Sequence, residues 1–260
     1  MIIDNDDLPV GRILSRREVL TLFGATSTAA LLSGCIPGVN GPPPGGAASS
    51  NSITAAAAAT TNATLPPSCV VRPELTEGPY FVDEKLNRSD IRSDPSDSAV
   101  SEGAALELTF NVTQVSSNAC TPLAGVQVDV WHCDAHGVYS DATDRGFNTT
   151  GKKFLRGYQV TDAAGVAKFT TIYPGWYDGR AVHIHFKLRN EQGYEFTSQL
   201  FFDDAFTDEV YAAEPYASKG IRTLRNDGDN IFQQSAGQTL ITVNKVDAGY
   251  AAAFNIGLQL

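Results

Sequence analysis

Two histidines one residue apart, in His183-Ile184-His185, are the first grouping with the spacing of a reactive site. On a strand, side chains alternate between faces, so both imidazoles leave one face and Ile184 leaves the other. Two nitrogen donors from one strand can begin a metal site, although an isolated pair is more often a hydrogen-bonded or exposed one. Two tyrosines change that balance. Tyr177 lies six residues before His183 in Pro174-Gly175-Trp176-Tyr177-Asp178-Gly179-Arg180, and Tyr139 closes a segment that begins at Val128 and ends Gly137-Val138-Tyr139. Phenolate is a hard anionic oxygen donor suited to Fe(III), and imidazole serves several transition metals, iron included. Tyr139, Tyr177, His183 and His185 together therefore point to one non-haem Fe(III) per chain. The bound cation would keep ionised two phenols that in water titrate near pH ~10.

Such donors need a frame, and the sequence supplies short strands. Leu106, Leu108, Phe110 and Val112 alternate with Glu107, Thr109, Asn111 and Thr113, the pattern of a half-buried strand. Val126, Val128 and Val130 repeat it. The runs Phe154 to Val160 and Val166 to Ile172 flank the turn signal Asp162-Ala163-Ala164-Gly165, and Val182 to Leu188, Thr197 to Phe202 and Thr239 to Val246 are further apolar runs. No long amphipathic helix interrupts them. The expectation is an all-β fold, an antiparallel β-sandwich with long connecting loops, and the missing βα alternation excludes a doubly wound sheet. Phosphate-loop, dinucleotide, serine-hydrolase and zinc-protease motifs are absent.

The motifs occur in a distinctive order: Val128-Asp129-Val130-Trp131, Gly137-Val138-Tyr139, Pro174-Gly175-Trp176-Tyr177, then Arg180-Ala181-Val182-His183-Ile184-His185. This set resembles the intradiol ring-cleavage dioxygenases, the family of protocatechuate 3,4-dioxygenase and catechol 1,2-dioxygenase. Thr76-Glu77-Gly78-Pro79-Tyr80 upstream and Gln199 downstream extend the likeness over roughly residues 69 to 260. The resemblance implies Tyr139 and His183 as equatorial iron ligands, Tyr177 and His185 as axial ones, and Tyr177 as the ligand a catechol displaces. It implies that Arg180 stabilises charge on the substrate ring, that Gln199 lines the O₂ side, and that Thr76, Gly78, Pro79 and Tyr80 form the substrate wall. The implied partners are a small aromatic diol and O₂, joined into a muconate-type diacid. Only Asp178 and Gly179 separate Tyr177 from Arg180, fewer than in protocatechuate dioxygenases, so the identity of the catechol does not carry over. The helical N-terminal dimerisation segment of the catechol dioxygenases is not recognised here, which leaves monomer and homo-oligomer open.

Residues 1–34 read as an export address. Arg16-Arg17 gives a twin-arginine pair, an apolar Ala-rich run from Leu20 to Leu32 follows, and Leu32-Ser33-Gly34-Cys35 has the form of a lipobox. The run is too short to span a bilayer. Cys35 is then the lipid-bearing mature N-terminus, residues 35–65 a Gly-, Pro- and Ala-rich tether, and residues 66–260 the catalytic domain. Export by the twin-arginine route, to the periplasm or cell surface and with membrane contact only through the lipid, is expected. Of Cys69, Cys120 and Cys133, the last two flank a strand too long to bridge, so one disulfide involving Cys69 and one free thiol are expected. A net charge of -10 argues against a nucleic-acid partner. His132 continues the Val126, Val128, Val130 face as a structural residue, and His136 falls in a solvated turn. Two alternatives compete: a Zn or Cu enzyme using His132, His136, His183 and His185, and a surface-anchored sandwich that only binds. Asp227-Gly228-Asp229-Asn230 reads as a turn rather than a calcium loop.

Overall fold

Alternation in β1 (Ala105–Val115) decides the interior: Leu106, Leu108, Phe110 and Val112 are buried while Glu107 faces solvent. The structure, a computed structural model, describes residues 70–116 and 119–260. The export segment, Cys35, the tether and Cys69 lie outside the described residues. β1 is flanked on one side by β12 (Gly249–Leu258), which continues to β11 (Val243–Val246). On the other side it pairs with β7 (Val166–Ile172) along its first part and with β2 (Cys120–Pro122) at its end. The second sheet runs β10 (Leu240–Ile241), β9 (Glu195–Phe202), β8 (His183–Arg189), β3 (Gln127–Trp131), β6 (Arg156–Val160). A hairpin of β4 (Thr143–Asp144) and β5 (Phe147–Asn148), helix α1 (Asp204–Tyr211) and the short helix α2 (Asn230–Gln234) fill the connections.

The two sheets bury one shared core. Phe110 and Phe254 of the first sheet meet Phe186 of the second at ring-centroid distances of 5.2 and 5.4 Å. Val128, Val130, Ile184, Leu188, Leu200 and Phe202 complete the second sheet's inner face. Full burial of such side chains contributes ~1.5–3 kcal/mol each. This is the expected all-β sandwich, with parallel pairing in two places, β1 with β12 and β9 with β10. The run Thr239 to Val246 is not one strand. It divides at Thr242, β10 joining the second sheet and β11 the first, so its halves serve opposite walls of the core. Cys120 is disulfide-bonded, and Cys133 is a buried free thiol pushed up to about 12 by burial and then by Asp134.

Candidate metal centre

Strand register places the first functional side chains. In the second sheet Trp131 lies opposite Arg156 of β6 and His185 of β8, and His185 lies opposite Gln199 of β9. Arg156, Trp131, His185 and Gln199 thus form one row across four strands, on the face turned away from the sandwich core. His183, paired with Phe201, starts the next row on that face, while Ile184 and Phe186 enter the core. One strand therefore anchors itself hydrophobically with alternate residues and presents imidazoles with the others. Both histidines are buried because loops cover this face, and the Trp131 indole stacks on His185 at 5.0 Å and 11°.

The tyrosines arrive on two of those loops, which pack backbone against backbone. A Cβ on Gly175 would collide with the carbonyls of Asp134 and Ala135, and one on Gly137 with the carbonyl of Trp176. Only glycine permits this approach, and Gly137 also has a positive φ of 80°. Lys219 bridges the same loops by donating to the carbonyls of His136 and Trp176. The result is convergence at His183 Nε2, which lies 3.4 Å from Tyr139 Oη, 3.2 Å from Tyr177 Oη and 3.0 Å from His185 Nε2. Tyr139 is buried and Tyr177 half-buried.

Burial keeps the imidazoles and the Tyr139 phenol of this cluster in their neutral forms. His183 Nδ1–H donates to the Ala181 carbonyl at 2.7 Å, which turns the lone pair of Nε2 toward the other donors. Burial, then the Arg180 charge, holds the His183 pKa well below its ordinary value. Burial, then His183 and Arg180, does the same to His185, so both rings are neutral. Burial and then Tyr177 push the Tyr139 phenol well above its ordinary range. At a separation of 3.0 Å, His183 Nε2 and His185 Nε2 are close enough for both to reach one ion through metal–nitrogen bonds of ~2.1 Å. The donor set fits a hard, highly charged ion, whose field would reverse the protonation of the phenols. Among the described residues no group of three or more His, Cys, Asp or Glu gathers, so a metal here would need the tyrosine oxygens.

The sequence model of the Dioxygenase family matches residues 76–258. The chain belongs to the intradiol dioxygenase family. It is 29% identical to the intradiol ring-cleavage dioxygenase from Tetranychus urticae, with 74% of this chain and 95% of that chain covered and a TM-score of 0.65. The dioxygenase domain of a carbohydrate-binding fusion protein from Streptomyces sp. SirexAA-E is 28% identical, covers 74% of this chain and 99% of its own, and gives a TM-score of 0.54. Catechol 1,2-dioxygenase of Candida albicans is 30% identical over 123 residues, 39% of each chain. This chain spans about two-fifths of the length of the curated relatives it matches.

In this family member Gln199 lies opposite His185, Arg180 and Thr76 are hydrogen-bonded to Gln199, and Tyr80 stacks on Tyr139. Arg180 is buried: Nε donates to Asp229 Oδ2 at 3.0 Å, Nη2 donates to Gln199 Oε1 at 2.6 Å, and Nη1 is buried without a hydrogen-bond partner. The Gln199 amide donates in turn to the Thr76 carbonyl at 2.8 Å, so its polar atoms are engaged in holding Arg180 and the upstream segment. Tyr80 stacks on Tyr139 at 4.4 Å and its hydroxyl donates to Asp144 on the β4–β5 hairpin. Thr76 is buried, Gly78 half-buried and Pro79 exposed. Three positions were not legible as site residues. Arg156 donates to the carbonyls of Ser140 and Tyr80, Lys219 clamps the loops, and Asp229, read as part of a turn, holds Arg180. The four histidines do not assemble into one zinc or copper site: His132 is bonded through both nitrogens, to Cys133 O and Thr171 Oγ1, and His136 is exposed.

Proposed function

We propose that this chain holds one Fe(III) through Tyr139, Tyr177, His183 and His185 and cleaves catechol-type diols between their hydroxylated carbons. Diol and O₂ combine into one muconate-type diacid that retains all atoms of both. The single observation that carries the reading is the convergence of two phenol oxygens and a second imidazole on His183 Nε2, within 3.0 to 3.4 Å. Ferric iron there would supply the Lewis acidity that engages both oxygens of a catechol and makes its ring reactive toward O₂.

The chain's own residues do the remainder. Tyr177, half-buried and carried on a loop, is the donor able to leave the cluster and accept a substrate hydroxyl proton at its phenol oxygen. Arg180 directs a desolvated guanidinium at the site. Burial opposes its charge, but Tyr177 and Asp229 outweigh burial and raise its pKa, so it remains a cation for charge developing on the ring. Tyr80 supplies a flat wall beside Tyr139, suited to an aromatic substrate. Export and lipid attachment at Cys35 would place this chemistry at the periplasmic or cell surface. A sandwich that only binds gives no reason for two phenols and two neutral imidazoles to share a dry cluster.

Incubation with catechol, protocatechuate, hydroxyquinol and substituted catechols under ¹⁸O₂ tests the reading. The expected products are muconate-type diacids carrying label from ¹⁸O₂, formed by a red-brown protein with one iron per chain. Semialdehyde products, or a colourless protein isolated with zinc, would overturn it.

A further inference from the structure

Arg180 is held by more than its hydrogen bond to Gln199. The carboxylate of Asp229, 49 residues later, is buried at 1% side-chain exposure against 7% for Arg180. Oδ2 accepts from Arg180 Nε at 3.0 Å and from the Ala181 backbone N–H at 2.7 Å. The carbonyl of that same Ala181 residue accepts from His183 Nδ1 at 2.7 Å. Oδ1 faces the other way and accepts from the backbone N–H groups of Ile231 and Phe232, capping α2. All four donors are N–H groups, so both oxygens act only as acceptors. The apolar side chains of Leu75, Ala181, Phe201 and Ile231 form a cluster here that helps keep water from the pair. Held at Nε and Nη2, a planar guanidinium has no rotation left, and Nη1, buried and unpartnered, has a fixed direction.

We propose that Asp229 is the positioning residue of the centre. One oxygen aims Arg180 Nη1 at the substrate and fixes the Ala181 residue whose carbonyl orients His183, while the other ties both to the start of α2. This role rests on the ring-cleavage reading, since Arg180 needs a substrate to act upon. A purely structural Asp229 would serve α2 alone, and there Asn is as good an N-cap as Asp. Asn cannot serve both sides, because its amide presents one acceptor and one donor where the site requires two acceptors.

The test is a double-mutant cycle with Asp229→Asn and Arg180→Gln on the iron-loaded protein. It follows turnover of the catechol found active, anaerobic binding of that catechol by the visible band, and thermal unfolding before and after iron removal. Asp229→Asn alone is expected to lower kcat at least tenfold and to weaken catechol binding. In the Arg180→Gln background the same change should lower kcat less than twofold further, because the group it aims is already gone. The double variant should also unfold at a higher temperature than Asp229→Asn alone, since the buried cation without its partner has been removed. This holds even if the single variant folds too poorly to assay. Wild-type turnover in Asp229→Asn, an undiminished further loss in the Arg180→Gln background, or a double variant no more stable than Asp229→Asn would each overturn the positioning role. Those results bear on the positioning role when the wild-type protein is coloured and active. A wild-type protein without iron or ring cleavage would overturn the functional reading itself, and this role with it.

Discussion

Replacing Gly175 by Ala isolates what brings the two tyrosines together. The added methyl carbon would stand 2.6 Å from the Ala135 carbonyl carbon and still nearer the Asp134 oxygen, where carbon–carbon contacts settle at about 3.5–4.0 Å. Both neighbours are backbone, so no flexible side chain can swing aside. The loops must part by roughly 1 Å, and the hydrogen bond from Gly175 N to the Asp134 carbonyl at 3.0 Å is stretched with them. Overpacking of this kind costs about 1–3 kcal/mol, a fraction of the 5–15 kcal/mol typical of a domain, so the variant should still fold. The site is less forgiving. Tyr177 lies two residues after Gly175 and Tyr139 four after Ala135, and a displacement of 1 Å is about half a metal–ligand bond. The expectation is substoichiometric iron, a shifted tyrosinate-to-iron band and turnover lowered ~100-fold, with circular dichroism close to that of the parent. Gly146→Ala is the matched control, because nothing lies within 4 Å of its added carbon. Full iron content, an unshifted band and turnover within twofold of the parent in Gly175→Ala would refute the claim that this loop contact sets the donor geometry.

Arg180→Ser should keep iron and colour while turnover falls ~100–1,000-fold, the loss typical of one preorganised electrostatic group, whereas His183→Ala should lose the metal; elemental analysis beside single-substrate kinetics distinguishes the two. Burial holds His132 at about 4, below its ordinary 6.5. The unfolded chain therefore takes up a proton below pH ~6.5 that the folded chain refuses until about 4, and stability falls as pH drops through that window by up to ~3 kcal/mol, with no contribution above it. Denaturant midpoints of metal-free protein at pH 7, 5.5 and 4.5 should show this decline reduced in His132→Gln, and equal declines in both proteins would exclude it. Intact-mass analysis of the mature N-terminus should find a start at Cys35 with a diacylglycerol mass, and an unmodified start elsewhere would end the anchoring proposal.

Legibility in the sequence tracked the range of the interaction concerned. β1, β7, β8 and β9 could be read because alternation is local, and the pairing of His183 with His185 on one face follows from strand period alone. β12 was not readable: Ala251-Ala252-Ala253 has weak strand propensity and no alternation, and the segment is a strand because nine consecutive positions of β1 pair with it in parallel. The division at Thr242 was hidden for the same reason, since which sheet receives each half is settled by partners elsewhere in the chain. At the centre, Tyr139 and Tyr177 were legible from residue chemistry, and the structure supplies the reason for the glycines before them. Asp229, Arg156 and Lys219 gave no signal, because each acts on residues 16 to 83 positions away through hydrogen bonds that no local pattern encodes.

These long-range contacts answer an energetic problem that the local pattern creates. Two imidazoles, a phenol and an arginine with an unpartnered Nη1 are polar groups that are costly to bury in a dry interior, even with the rings and the phenol in their neutral forms. Left to themselves the loops would relax toward water. β8 resists this because its other face, Ile184, Phe186 and Leu188, is locked in the sandwich core, so His183 and His185 cannot retreat without unpacking the domain. Three further side chains then hold the loops. Arg156 holds the Ser140 carbonyl next to Tyr139, Lys219 holds the Trp176 carbonyl next to Tyr177, and Asp229 holds Arg180 together with the Ala181 peptide. Arg156 and Lys219 bind the residue adjacent to a functional tyrosine, and Asp229 binds Arg180 at Nε rather than at Nη1. Arg180 Nη1 is thereby left for whatever occupies the centre, beside the phenol oxygens and imidazole nitrogens that converge on His183 Nε2, and the stability of the sandwich is what maintains that arrangement.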